Sequence, residues 1–151
     1  MDARHIFLVQ QSYKKLGALG EQLPEVFYAE LFIIDPSLRA MFDSDMRRQH
    51  MKLLVTLALI VNSLHEHEKI LQAVQSLAIK HVSYGVRAEH YTPYGNALLR
   101  TLKKLLGPKF TRDVADAWEA AFLMLARIMK QAAYETAASE RKAPHGARSA
   151  R

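Results

Sequence analysis

The chain contains no cysteine, and only six glycines, five prolines and one tryptophan among its 151 residues. Without thiols it can form no disulfide, no thiolate nucleophile and no thiolate metal ligand, so any metal must be held by histidine, carboxylate or an organic cofactor. Scarce glycine and proline, with abundant Ala, Leu, Lys and Glu, suit an all-helical globule better than a sheet protein. No strand-like alternation persists and no internal repeat is visible. The longest apolar run, Leu53 to Val61, is interrupted by Thr56 and is too short to cross a bilayer. The opening Met-Asp-Ala-Arg-His lacks a signal-peptide pattern, so the expected location is the cytoplasm.

Charge is unevenly placed. Of the net +6, the stretch from Ala138 to Arg151 carries +3, four cations against Glu140. No aromatic residue is interleaved with those cations, as a stacking platform for single strands requires, so no specific nucleic-acid partner is expected. Residues 137–151 read as a basic, disordered tail. Residues 1–136 read as one domain, large enough to bury a substantial core.

Apolar spacing predicts about seven helices of unequal length. The first spans Ala3 to Leu16, with Ile6, Val9, Tyr13 and Leu16 on one face, and ends at Gly17. The second spans Glu21 to Ile34 with a stripe of Leu23, Val26, Phe27 and Leu31. Asp35-Pro36 caps and starts a short helix to Phe42. After a connector at Asp43 to Met46, a long helix reaches Leu64. Its apolar residues (Leu54, Val55 and Ala58 on one side, Leu53, Leu57 and Ile60 near it) predict burial on more than one side. The next helix is closed by Gly85. Another spans Ala88 to Leu106 and stops at Gly107-Pro108. Thr111 caps the last helix, whose stripe is Val114, Ala117, Trp118, Ala121, Leu125, Ile128 and Met129, and which is expected to fray near Thr136. The absence of heptad regularity predicts an irregular, crossing assembly rather than a tidy bundle.

His81 extends the apolar stripe of Ile70, Val74, Leu77 and Ala78, which aims a metal-capable side chain at the core. Alone, such a histidine is ordinarily a satisfied core residue. His65 and His67 are two residues apart, face different directions on a helix, and read as a solvated pair. What gives His81 chemical meaning is its company: Phe27-Tyr28, Phe42 after Asp35-Pro36, and Gln49 early in the long helix.

Phe-Tyr-Ala-Glu-Leu-Phe (27 to 32), Arg-Ala-Met-Phe-Asp (39 to 43), Lys-His-Val-Ser-Tyr-Gly-Val (80 to 86) and His-Tyr-Thr-Pro (90 to 93) closely resemble the bacterial globins. Trp118 in the last helix adds to the match. The resemblance is to single-domain bacterial haemoglobins and the haem domain of flavohaemoglobins, and covers about Ile6 to Ala133. It implies a globin fold around a b-type haem, with His81 as the proximal iron ligand. A neutral imidazole can bind iron through one nitrogen while the other donates to an acceptor, for which the Leu77 carbonyl one turn back is placed. A single protein ligand leaves the opposite face of the iron open to a gas.

By the same resemblance Phe42 wedges against the haem plane, a position where simple core packing would look identical. Tyr28 and Gln49 match the distal pair that faces bound ligand. A hydrogen bond from either to dioxygen that has drawn electron density from iron is worth about 1.5–3 kcal/mol. Tyr28 has another role open to it, as a tyrosine bonded to backbone at a helix crossing. Gln49 is adjacent to His50, and a small rotation of the long helix would present His50 to the iron instead; the ungapped count to His81 favours Gln49. Leu53 forms the apolar distal wall. Lys52 can reach a haem propionate or remain solvated, and His90 is near enough to Tyr91 to approach one as well.

Tyr91 matches a tyrosine that, in the flavohaemoglobin group, joins a glutamate and the proximal histidine in a hydrogen-bonded network. Here the glutamate position is Ala133, and the nearest carboxylate, Glu135, lies on another face. The chain also stops where a reductase domain would begin. The expected function is therefore reversible coordination of dioxygen for storage, delivery or scavenging. Nitric-oxide dioxygenation with a separate reductase is the alternative, and a haem-based sensor or interaction module a third.

Overall fold

The structure is a computed structural model that describes residues 1–42, 45–83 and 88–142, with side chains described for all of these except 79–83, 88 and 134–142. Among the described residues there are six α-helices and no strand: α1 (Ala3–Leu16), α2 (Leu23–Ile34), α3 (Arg47–Asn62), α4 (His67–Ser83), α5 (Tyr91–Leu106) and α6 (Arg112–Lys142). Single-turn and two-turn 3-10 segments precede α2, connect α2 to α3, and flank α5. None of these helices is long and apolar enough to cross a membrane.

Local chemistry sets most of the boundaries. The Asp2 carboxylate accepts the His5 backbone N–H at 2.8 Å, capping α1, which ends at Gly17. The Asp35 carboxylate accepts the Ser37 N–H at 3.1 Å and starts the 3-10 segment Pro36–Met41. Gly107, at φ 57°, takes the left-handed turn after α5 that a side chain would strain. Thr111 Oγ1 accepts the Val114 N–H at 3.3 Å and begins α6. That helix continues to Lys142, beyond Thr136. Gly85, the Asp43–Ser44 part of the connector and residues 143–151 of the tail lie outside the described residues.

The helices cross rather than align. The main pairings are α2 on α5, α1 on α6 and α4 on α6. Ser12 and Trp118 pin α1 to α6. The Trp118 indole N–H donates to Ser12 Oγ at 2.8 Å, and that hydroxyl donates to the Leu8 carbonyl at 2.7 Å. The α2–α5 crossing holds a buried carboxylate, Glu30, paired with Lys104 and, at 3.7 Å, with Arg100. Between α5 and α6, Gly95 admits the Phe122 ring so closely that a Cβ there would lie 2.6 Å from it.

The stripes predicted for α1 and α6 face the core. The Ile70, Val74 and Ala78 stripe of α4 is likewise buried. α3 differs from expectation. Leu53, Leu57, Ile60 and Val61 face inward, but Val55 is 61% exposed, with Met51 and Leu59 beside it on the outer face. Among the described residues the main partners of α3 are α1 and α2, and the face carrying Met51, Val55 and Leu59 is left exposed.

Candidate functional site

Three elements converge on Tyr28. α2 presents Phe27, Tyr28 and Phe32; the 3-10 segment ends at Phe42; and α3 runs across them. Edge-to-face contacts join Tyr28 to Phe27 (centroids 5.1 Å) and to Phe42 (5.4 Å), and Phe42 lies 5.8 Å from Phe32. From α3, the His50 imidazole stacks on the Tyr28 ring at 5.4 Å with 11° between planes. From α5, Tyr94 reaches Phe27 at 6.5 Å. Such offset and edge-on pairs fix ring planes as well as bury area.

Tyr28 is only 9% exposed, yet its hydroxyl makes no hydrogen bond among the described residues. Burial, with a smaller contribution from Tyr94, pushes its phenol far above the ordinary tyrosine range. Burial and the neighbouring Tyr91 push Tyr94 up to about 12, and burial raises Tyr91. All three phenols therefore keep their protons at neutral pH and act as O–H donors.

Of the residues singled out by sequence, the fold brings Tyr28 and Phe42 into contact, and Leu53 is half-buried on α3 against the core. Gln49 is half-buried at the edge of the same helix, and Lys52 is exposed. Tyr91 is buried at the start of α5, and Lys130 Nζ sits 5.5 Å above its ring centroid. Ala133 lies one turn beyond Lys130 on α6 and is half-buried, while the side chain of Glu135 lies outside the described residues. His81 stands on α4, three residues past the buried Ala78; its side chain also lies outside the described residues. His65 sits 3.4 Å from Gln10 Nε2 and 3.8 Å from Glu66, and no group of three metal-capable side chains occurs among the described residues.

Sequence reasoning missed Tyr94 and Lys130, and it set His50 second to Gln49 without foreseeing the stack of His50 on Tyr28. Tyr94 had a signal, since it lies three residues after Tyr91 on one helix face. So did His50, which continues the Leu53–Leu57 stripe. Lys130 had none beyond its place one turn before Ala133.

The globin family model matches residues 25–129. The chain is a globin. It is 35% identical over 138 residues to the flavohemoprotein of Bordetella pertussis, a match covering 87% of this chain and 34% of that protein. The chain spans about a third of the length of the curated relatives it matches. A bacterial globin from Campylobacter jejuni superposes with a TM-score of 0.78 at 26% identity, over 89% of this chain and 98% of that one. An engineered carbene transferase from Rhodothermus marinus shares the fold at a TM-score of 0.84 and 24% identity, over 94% of this chain and 99% of that one.

The side chains present fit a haem in their chemistry. Tyr28 offers an unengaged donor inside an aromatic enclosure, and Phe42, Leu53, Leu57 and Leu77 are half-buried apolar side chains packed on the core. A flat apolar macrocycle needs such walls, with few polar groups aimed at one point.

Proposed function

We propose that this globin binds a b-type haem through His81 and reversibly coordinates dioxygen, for storage, delivery or scavenging. When bound, haem supplies the iron that takes up the gas. The chain supplies everything else. His81 on α4 would hold the iron from one side. Phe42 and Leu53 would wall the other side and exclude water, and Tyr28 would donate a hydrogen bond to the diatomic ligand. α3 would contribute a second polar group, Gln49 by its count from His81. Lys52 and Tyr91 are the side chains assigned to the haem periphery and the proximal side.

The observation that carries this reading is the Tyr28 phenol, buried, protonated and without a hydrogen-bond partner among the described residues. Its O–H can donate to a ligand without first giving up a bond to any described residue.

The ferrous, ligand-free absorption spectrum of the haem-supplemented protein tests the proposal. A Soret band that shifts reversibly on aeration is expected. No Soret band after supplementation refutes haem binding outright.

The Rhodothermus marinus neighbour, which carries the name of a nitric oxide dioxygenase, raises a second reading, nitric-oxide dioxygenation supported by a separate reductase. It differs in turnover. Catalytic consumption of nitric oxide with a supplied reductase supports it, and consumption limited to one equivalent removes it.

A further inference from the structure

Resting on the haem reading above, we infer that His50 is the α3 side chain that faces the bound diatomic beside Tyr28. Three observations converge. First, Met46, His50, Leu53, Leu57 and Val61 follow one another at steps of 4, 3, 4 and 4, the repeat of a single inward helix face. Met46, Leu53 and Leu57 are half-buried and packed on the core, and Val61 is buried. An imidazole replaces the aliphatic residue this stripe would otherwise carry. Gln49 is rotated from His50 by about 100°. It flanks the stripe, with Lys52 and Thr56 at the next two turns.

Second, the Tyr28 ring is stacked on His50, near-parallel at 11° and 5.4 Å between centroids. Two near-parallel rings from α2 and α3 therefore stand side by side, one of them the residue assigned to the distal side. Third, the His50 ring, like the Tyr28 hydroxyl, makes no hydrogen bond and no ion pair among the described residues. An imidazole in any protonation state carries at least one N–H. Paired with the phenol, it gives the site two rigid donors for the far atom of a small, electron-rich diatomic such as dioxygen. An amide from Gln49 swings on more rotatable bonds and would be held less firmly.

Carbon monoxide on the ferrous haem protein is the probe. A donor near its oxygen draws electron density into the C–O bond and lowers the stretching frequency, which infrared absorption reads directly. His50→Leu is expected to raise that frequency and His50→Gln, which restores a donor, to bring it part of the way back. Gln49→Leu is expected to move it less than His50→Leu. The inference is overturned if the band follows Gln49→Leu and ignores His50→Leu. It is overturned equally if His50→Gln shifts the band as far as His50→Leu. A chain that never shows a Soret band condemns the haem reading instead, so the two failures are distinguishable. Leucine suits a stripe already built from leucines, and helical circular dichroism confirms that each variant is folded.

Discussion

Replacing Tyr28 with phenylalanine separates the two roles open to this residue, because they predict opposite results. The ring contacts with Phe27, Phe42 and His50 involve no hydroxyl, so phenylalanine keeps the aromatic enclosure. Only the O–H is lost. Since no described residue accepts it, the ligand-free protein loses no hydrogen bond within the chain. Denaturant unfolding of the haem-free protein should therefore show a midpoint unchanged. Oxygen release should respond strongly. A hydrogen bond to an acceptor carrying partial charge is worth about 1.5–3 kcal/mol. At 1.4 kcal/mol per decade, that is a rate increase of about 10- to 150-fold if the bond breaks before escape. Stopped-flow displacement of oxygen by carbon monoxide measures it. A variant that loses about 1 kcal/mol of stability while releasing oxygen at the parental rate would show Tyr28 to be a structural tyrosine, and the reasoning would fail.

Ser12→Ala strands the Trp118 indole N–H in a buried site and should destabilise by about 1–3 kcal/mol, read by urea unfolding. Adding Trp118→Phe should recover part of that loss, because the stranded donor goes with it; no recovery would argue against the bond. Gly95→Ala sets helix propensity, which favours alanine by about 1 kcal/mol, against a clash in which the new Cβ lies 2.6 Å from the Phe122 ring. Overpacking typically costs about 1–3 kcal/mol, so the net effect is destabilisation, and Phe122→Leu should relieve it in the double variant. Alkaline unfolding should involve Tyr28 and Tyr94. Their folded-state pKa values are raised, so the unfolded chain releases protons first, and stability present below pH 10 falls as pH rises toward the folded value near 12 for Tyr94. Tyr94→Phe should flatten that fall between pH 10 and 12, and ultraviolet phenolate absorbance follows the titration.

How much of this was readable from sequence depends on whether the determinant is local. Both ends of α1 were legible because Asp2 and Gly17 act within a turn of themselves. The start of α6 was legible from Thr111 for the same reason. The outer face of α3 was not. Met51, Val55 and Leu59 look like core residues, and their exposure follows from which side of α3 the described helices α1 and α2 occupy. The aromatic enclosure was half legible. Tyr28 and Phe42 came from the resemblance, whereas the edge-on contacts that aim them depend on how α2 crosses the segment before α3. His50 shows two signals in competition. Counting back from His81 selects Gln49, while the apolar stripe of the helix itself selects His50. The count assumes that α3 enters its crossing at the same rotation as in other globins; the stripe depends only on what this helix buries.

The energetics of the pocket favour a ligand over a packing role. The Tyr28 hydroxyl adds nothing to the packing that phenylalanine would not supply, because the contacts with Phe27, Phe42 and His50 are made by the ring. The same holds for His50, an imidazole in a stripe where leucine repeats. Two neighbouring positions on different helices thus depart from the local rule in the same way, each placing polar atoms where packing asks for none. Departures of this kind concentrate where function requires them. Tyr28 and His50 stack on each other, so two polar-tipped rings from α2 and α3 lie side by side. A small acceptor reaching both tips would engage two donors at once, a role that leucine and phenylalanine at these positions could not perform.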